Sequence, residues 1–167
     1  CNNNCGGTNQ PSCPAGFPTD DFDDGVRSGL WDASYELGSS SYEETGGQLV
    51  ITLPVSDTGY AGYQTGGAYD MQQEAITIEV IEVPNQCCEE AEFEFCVVDS
   101  VSWDYAGMLV NIGNIKGFSN IGGVVSYYSP TPYDNTDHRF WRLREDSGTF
   151  YWDASADGIN WYNLGSV

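Results

Sequence analysis

Short runs of alternating apolar and polar residues follow one another from about residue 20 to the end of the chain. In residues 91–98 the alternation places Phe93, Phe95 and Val97 on one face and Glu92, Glu94 and Cys96 on the other. Further runs rich in β-branched and aromatic residues, each bounded by turn residues, cover 48–53, 75–83, 108–112 and 123–128. No run has the period of a helix. The pattern predicts an all-β protein, a two-sheet antiparallel β-sandwich.

The clearest hairpin signal lies near the end of the chain, where residues 139–144 and 149–153 flank Asp146, Ser147 and Gly148. A two-residue loop at Asp146-Ser147 would put Trp141 opposite Trp152 and Leu143 opposite Phe150, which gives one wholly apolar face. The three tryptophans of this region are then predicted to lie in the core: Trp141, Trp152 and Trp161. The opposite face of the hairpin would carry Arg142, Arg144, Tyr151 and Asp153.

Six cysteines form two groups of three along the chain: Cys1, Cys5 and Cys13, then Cys87, Cys88 and Cys96. Their even number predicts three disulfide bonds formed in an oxidising compartment, with the pairing left open. Bonds between the groups would staple residues 1–19, a Cys-, Asn- and Pro-rich arm, to a sandwich domain of residues 20–167. Zinc is disfavoured, because the cysteines lack the paired short spacings of zinc sites. Alternatively, Cys1 carries a lipid anchor, as in processed bacterial lipoproteins, and one thiol lacks a partner within the chain.

The charge is strongly acidic, with 25 Asp and Glu against 5 Lys and Arg and a net charge of −20. A field of this sign repels phosphate backbones, so nucleic-acid binding is excluded. The sequence has no apolar stretch of about 18 residues that would span a membrane as a helix. We expect an extracellular or cell-surface location.

Two clusters of carboxylates supply the oxygen ligands that Ca²⁺ prefers, although neither matches the twelve-residue calcium loop. They predict Ca²⁺ as a loop stabiliser, against the alternative of simple solvated acids. The residues are Asp20, Asp21, Asp23 and Asp24 in the first cluster, and Asp134 and Asp137 in the second.

Three segments near the C-terminus resemble the end of bacterial extracellular domains in the concanavalin A-like lectin/glucanase superfamily: HRFWRLRE at 138–145, GTFYW at 148–152 and SADGINW at 155–161. The resemblance spans about residues 20–167. It implies a laminin-G-like jelly roll with a concave face that holds carbohydrate in many members. Members usually have a further strand after the segment matching 161–164. That strand would be trimmed here, lie earlier in the order, or come from another chain.

Catalysis is not expected. Glucanases of this superfamily carry an E-x-D-x-x-E carboxylate pair, and the nearest strings here, residues 79–82 and 90–94, do not reproduce that spacing. His138, the single histidine, has no serine or cysteine nucleophile in a recognisable motif beside it. A packing or capping role at the start of a strand is the expected one for this side chain.

The sequence therefore predicts a non-catalytic extracellular recognition module that binds carbohydrate at a cell surface or matrix. The candidate ligand-binding side chains are Arg142, Arg144, Tyr151, Asp153 and Tyr127, since arginine can hold sugar hydroxyls and aromatic rings can stack on sugars. In the competing interpretation, Arg142 and Arg144 only pair with Asp153 across strands. The alternative function is a structural subunit of a surface layer or filament, in which copies of the chain assemble by contacts or strand addition. A glycoside hydrolase is the third and disfavoured class.

Overall fold

The computed structural model describes residues 19–32, 36–54, 59–84 and 91–167. All regular secondary structure in these residues is β-strand, which confirms the predicted all-β class. The chain divides into two compact units, one holding the described residues up to Tyr69 and the other holding Asp70–Val167. The described residues contain no helix long and apolar enough to cross a membrane.

The first unit contains two short antiparallel pairs. β2 (Ser41–Thr45) and β3 (Gln48–Thr52) form a hairpin, and β1 (Glu36–Leu37) pairs with β4 (Tyr60–Ala61). The hairpin turn is Gly46-Gly47, whose φ values of 63° and 73° suit glycine because it lacks a Cβ. β3 confirms the strand predicted over residues 48–53.

The second unit contains two four-stranded antiparallel sheets. Sheet A has the order β12-β11-β10-β5, and sheet B has the order β6-β7-β8-β9. The strands of sheet A are β5 (Ala75–Glu79), β10 (Phe140–Asp146), β11 (Thr149–Ser155) and β12 (Tyr162–Ser166). The strands of sheet B are β6 (Phe93–Val98), β7 (Tyr105–Asn111), β8 (Asn114–Ile121) and β9 (Val124–Pro132).

The core of this unit is formed by apolar side chains from both sheets, which is the arrangement of a β-sandwich. Trp141 and Trp152 of sheet A are fully buried. The ring of Phe93 in sheet B lies 5.3 Å from Trp141, and that of Tyr128 lies 5.1 Å from Trp152. Gly117 of β8 provides the space for the Trp152 indole, because a Cβ at Gly117 would overlap the indole ring. The predicted inward face of β6 is confirmed: Phe93, Phe95 and Val97 all pack on this core.

The register predicted for the hairpin near the C-terminus is wrong by two residues. Leu143 lies opposite Trp152, and Trp141 lies opposite Ala154. The turn residues are therefore Ser147 and Gly148, with φ values of 54° and 85°. Positive φ at both central residues is the geometry of a type I′ turn, and glycine adopts that conformation without steric cost. The assignment of the faces is still correct, because a shift of two residues preserves the side-chain alternation.

His138 has the packing role expected from the sequence. It is buried just before β10, where its Nδ1 lies 3.0 Å from the backbone nitrogen of Asp134 and its ring stacks on that of Tyr133. Its carbonyl oxygen accepts a 2.8 Å hydrogen bond from Nε1 of Trp141. These contacts fix the start of β10 against the core.

Candidate functional site

The outward face of sheet A brings together four of the five predicted ligand-binding residues: Arg142, Arg144, Tyr151 and Asp153. β10 and β11 place them there, since alternate residues of paired strands share a face. Arg142 lies directly opposite Asp153, and Arg144 lies directly opposite Tyr151. The residues between them point inward and include the buried Leu143 and Trp152. The strand alternation that builds the core therefore also builds this polar face.

Asp153 is the centre of the cluster, although only 2% of the residue is exposed. Its Oδ2 accepts hydrogen bonds from Arg142 Nε at 3.0 Å, Arg142 Nη2 at 2.7 Å and Arg144 Nε at 2.8 Å. Its Oδ1 accepts a 3.0 Å hydrogen bond from Nδ2 of Asn163 on β12. One carboxylate therefore holds two guanidinium groups, and the three side chains together carry a net charge of about +1.

The hydrogen bonds to Asp153 determine its ionisation. Burial raises the pKa of a carboxyl group, but the hydrogen bonds from Arg144, Asn163 and Arg142 outweigh burial and hold the pKa of Asp153 below its ordinary value. Asp153 is therefore ionised at neutral pH and keeps both arginines oriented.

Each guanidinium of the cluster also stacks on an aromatic ring. Arg144 lies 3.9 Å from the centre of the Tyr151 ring, and Arg142 lies 4.3 Å from the centre of the Trp161 ring. Such cation–π contacts favour a fixed arginine geometry. The contacts therefore link five side chains in a row, which are in order Trp161, Arg142, Asp153, Arg144 and Tyr151.

Trp161 and Asn163 belong to this cluster but were not among the sequence candidates. The prediction that Trp161 lies in the core is wrong, because it is half-buried and stacks on Arg142 of the outward face. The turn before it sets this position: Asp157 Oδ1 accepts hydrogen bonds from the backbone nitrogens of Ile159 and Asn160. In the sequence, Trp161 directly precedes the strand Tyr162–Ser166, which indicates that the ring lies beside a strand. The sequence does not show on which face of the sheet the ring lies.

Arg144 also lines an open groove at the end of the cluster. The groove has a volume of about 460 Å³, and its other lining residues are Gln73, Glu74, Ala75, Glu145 and Asp146. The Glu145 carboxylate is held by the backbone nitrogens of Gln73 at 2.6 Å and Gly148 at 2.5 Å. Among the described residues, no partner accepts a hydrogen bond from Nη1 or Nη2 of Arg144. The groove therefore contains the Nη1 and Nη2 donors of Arg144 beside the carboxylate acceptors of Glu74, Glu145 and Asp146.

Tyr127, the fifth candidate, lies outside this cluster. It is on β9 of sheet B, where Nζ of Lys116 lies 4.5 Å from the centre of its ring. The structure therefore separates Tyr127 from the four candidates on sheet A.

Three of the carboxylates predicted to bind Ca²⁺ accept hydrogen bonds from within the chain: Asp20, Asp24 and Asp134. Asp20 accepts from the backbone nitrogen of Phe22 at 3.0 Å and from Nε1 of Trp31 at 2.6 Å. Asp24 Oδ1 accepts from the nitrogen of Val26 at 2.9 Å. The nearby carboxylate of Asp21 raises the pKa of Asp23.

In the second cluster, Asp134 Oδ1 accepts from the nitrogens of Thr136 and Asp137 at 2.8 and 3.1 Å. Across the described ranges, no three His, Cys, Asp or Glu side chains are grouped so as to hold a metal ion. Ca²⁺ binding stays a prediction.

Cys96 lies on the outward face of β6 with Glu94, as the alternation predicts, and its thiol forms no disulfide bond with a described residue. Burial of the sulfur, with a contribution from the Glu94 carboxylate, raises the pKa of Cys96 to about 11, so the thiol is protonated at neutral pH. The other five cysteines fall outside the described residues: Cys1, Cys5, Cys13, Cys87 and Cys88. The disulfide bonds and the stapled arm of residues 1–19 therefore stay predictions.

The glutamates nearest in sequence to a hydrolase motif make the following contacts. Glu92 accepts a 2.8 Å hydrogen bond from Nδ2 of Asn111 on β7, and Glu79 pairs with Arg139 at 2.6 Å. Burial and the neighbouring Glu92 raise the pKa of Glu94. Glu94 belongs to sheet B and Glu79 to sheet A.

Comparisons of the chain with protein-family models, curated proteins and solved structures found no match.

Proposed function

We propose that this chain is a non-catalytic extracellular recognition module that binds carbohydrate on the outward face of sheet A. The single observation behind the proposal is the row of Arg142, Asp153 and Arg144 between the rings of Trp161 and Tyr151. Sugars offer hydroxyl groups to polar side chains and apolar faces to rings. A row that alternates both kinds of group matches that chemistry.

The cluster is preorganised, which favours binding over a purely structural role for the arginines. Asp153 accepts hydrogen bonds from both guanidinium groups, and each guanidinium group stacks on one aromatic ring. A ligand therefore meets donors already held in place and loses little side-chain entropy on binding. The side chains of Arg142 and Arg144 keep 24% and 28% of their surface exposed, so both remain accessible.

The groove beside Arg144 favours a neutral sugar over an acidic one. Glu74, Glu145 and Asp146 line it together with Arg144. Hydroxyl groups can donate to these carboxylates and accept from the arginine, whereas a uronate or sulfate group would be repelled by the acids. The net charge of −20 adds to this repulsion.

The proposal includes the finer expectations from the sequence. They are a concanavalin A-like jelly roll, a cell-surface or matrix location, and Ca²⁺ held by aspartate loops as a stabiliser. The acidic surface and the cysteine content support an extracellular setting. The two four-stranded antiparallel sheets support a sandwich of that general kind.

A glycan microarray probed with the whole chain, with and without Ca²⁺, tests the proposal. We expect retention on neutral glycans and a loss of about tenfold in affinity for Arg144→Gln, which corresponds to about 1.4 kcal/mol. Arg139→Gln is the matched control, because Arg139 pairs with Glu79 away from the cluster and is half exposed. Retention on no glycan, or equal binding by Arg144→Gln and the wild type, would overturn the proposal.

A further inference from the structure

One end of sheet B carries exposed apolar side chains on two neighbouring connections. These are the loop of residues 99–104 between β6 and β7, and the turn Gly122-Gly123 between β8 and β9. Oδ1 of Asp104 accepts a 2.8 Å hydrogen bond from the backbone nitrogen of Gly122, so the two connections are in direct contact. Four large apolar residues here form what we call the apolar tip, with exposed fractions of 67% for Val101, 74% for Trp103, 51% for Ile121 and 67% for Val124.

Trp103 is held in a backbone conformation that tryptophan rarely adopts. Its φ is 62°, in the left-handed region, where the Cβ of any residue other than glycine is crowded. The loop enforces this conformation, because the backbone nitrogen of Trp103 donates to the carbonyl oxygen of Asp99 at 3.0 Å, and the nitrogen of Asp99 donates to the carbonyl oxygen of Asp104 at 2.7 Å. The strain gains no burial for the indole ring. A side chain that is both strained and exposed lowers the stability of the fold, which favours a role in binding.

The composition of the apolar tip favours a lipid bilayer as the partner. Tryptophan prefers the level of the lipid headgroups, and aliphatic side chains beside it can enter the boundary of the acyl chains. The other three residues of the tip are valine and isoleucine, whose side chains have no hydrogen-bonding group for a sugar hydroxyl, so a glycan fits the tip poorly. A bilayer also needs no surface of complementary shape, whereas a folded protein partner does.

Charge determines which headgroup the tip can meet. None of the five basic residues of the chain lies in residues 98–104 or 121–125, and the net charge is −20, so an anionic bilayer would repel the tip. Oδ1 of Asp99 accepts hydrogen bonds from the backbone nitrogens of Ser102 at 2.7 Å and Val101 at 2.8 Å. These bonds hold the pKa of Asp99 below its ordinary value, so the carboxylate is ionised at neutral pH. A quaternary ammonium group, the outermost group of a phosphatidylcholine headgroup, is attracted both to a carboxylate and to the face of a tryptophan ring.

We propose that the apolar tip docks on the surface of a zwitterionic bilayer of the phosphatidylcholine type. The Trp103 ring lies at the level of the headgroups, where it and the Asp99 carboxylate face the choline ammonium groups. The aliphatic side chains of the tip contact the boundary of the acyl chains. The tip belongs to connections of sheet B, so this contact does not use the arginine and aromatic row of sheet A and is independent of the proposed glycan binding.

Co-sedimentation of the whole chain with lipid vesicles tests the proposal. We expect binding to vesicles of phosphatidylcholine, and binding at least about tenfold weaker to vesicles of phosphatidylglycerol at low salt, because the anionic headgroups repel the chain. Tryptophan fluorescence reports the contact, since the emission of Trp103 should move to shorter wavelength when its ring leaves water. The difference between the spectra of the wild type and Trp103→Asn isolates that signal. No binding to phosphatidylcholine vesicles, or equal binding to phosphatidylglycerol vesicles, would overturn the proposal.

A matched pair of substitutions separates binding from folding. Trp103→Asn should weaken binding to phosphatidylcholine vesicles at least about tenfold, while the unfolding temperature stays the same or rises, because asparagine tolerates the left-handed conformation. Ile112→Asn is the control, since Ile112 is also exposed, has a φ of 50° and lies in the turn at the opposite end of sheet B. Its binding should stay within about twofold of the wild type. Wild-type binding by Trp103→Asn, or an equal loss in both variants, would rule out the tip as the contact.

The aliphatic part of the tip is tested by a variant that does not alter the strained position. The double variant Val101→Thr and Val124→Thr keeps both β-branched shapes, so the chain is expected to stay folded. It should weaken binding to phosphatidylcholine vesicles by about tenfold, because each hydroxyl group loses water on entering the acyl boundary. Unchanged binding by this variant would show that the valines do not reach the bilayer and would contradict the proposed docking.

Discussion

At the scale of single residues, Asp153 both links neighbouring strands of sheet A and orients the arginines on the outward face of that sheet. It is almost fully buried, yet it stays ionised because Arg142, Arg144 and Asn163 donate to its two oxygens. The sequence predicted that the arginines and Asp153 share a face. It did not predict Asn163, because that contact depends on how β12 pairs with β11, a register with a shift at Trp152/Asp153.

Asp153→Asn is expected to lower the free energy of unfolding by about 2–4 kcal/mol, since two partly buried guanidiniums lose their shared carboxylate. Urea denaturation at pH 7 measures the change. Glu79→Gln is the control, because the exposed Arg139–Glu79 pair should contribute less than about 1 kcal/mol. An Asp153→Asn variant as stable as the control would contradict the role given to this carboxylate.

The same variant gives a pH test. The folded-state pKa of Asp153 lies below its unfolded-state value, so its stabilisation is present above about pH 4 and is lost as the pH falls through the folded-state pKa. The difference in unfolding free energy between wild type and Asp153→Asn should therefore be constant from about pH 7 to about pH 5 and shrink below about pH 4. A difference that grows on acidification has the wrong sign for this mechanism.

Gly117 leaves room for the buried indole of Trp152, because glycine has no side chain. Its Cα lies so close to the Trp152 indole that a methyl group would overlap the ring. Gly117→Ala is expected to destabilise the chain by about 1–3 kcal/mol, measured by thermal or urea unfolding. Gly29→Ala is the control, because open space surrounds that position, and a loss as large there would contradict the packing argument.

At the scale of elements, strand identity followed from the sequence more readily than strand pairing. The alternation in residues 91–98 identified β6 and its inward face correctly, because a period of two is a local property. For the hairpin of β10 and β11, side-chain matching predicts a turn one residue earlier than the one in the structure. Turn chemistry decides the register instead, because Gly148 adopts a φ of 85°, which glycine reaches without steric cost.

The turn at Ser147-Gly148 makes this explanation testable. Gly148→Ala is expected to cost about 1–2 kcal/mol in unfolding free energy, because the left-handed conformation is strained for a residue with a Cβ. Ser147→Asn should instead be neutral or stabilise by up to about 1 kcal/mol, since Asn-Gly is the preferred pair for this turn. A Gly148→Ala variant as stable as the wild type would show that the turn is not formed by these two residues.

At the scale of the whole molecule, the net charge of −20 affects both the stability and the interactions of the protein. Repulsion among 25 acidic side chains opposes the compact state, and dissolved salt screens it. Composition alone predicted this property, whereas the division into two compact units at about residue 70 has no marker in the sequence. The proposed binding face on sheet A carries two of the five basic residues of the chain, Arg142 and Arg144, and both lie beside acidic side chains.

Raising the NaCl concentration from about 10 mM to about 500 mM should therefore raise the unfolding temperature, because the Debye length falls from about 30 Å to below about 8 Å. Differential scanning calorimetry measures the shift. An equal ionic strength of sodium sulfate and of sodium chloride separates screening from the additional effect of an excluded salt. A lower unfolding temperature in NaCl would show that attractive pairs outweigh repulsion.

The proposal that sugars bind at the arginine and aromatic row of sheet A is tested most directly by NMR of the side-chain N–H groups. The chain has four arginines and five tryptophans, so each Nε–Hε and Nε1–Hε1 signal can be assigned by single substitutions. We expect titration with a mixture of neutral oligosaccharides to shift the signals of Arg144, Arg142 and Trp161. The signals of the buried Trp141 and Trp152, and of Arg139, which pairs with Glu79, should stay unchanged. Shifts confined to other residues, or no shift with any neutral oligosaccharide, would contradict the account.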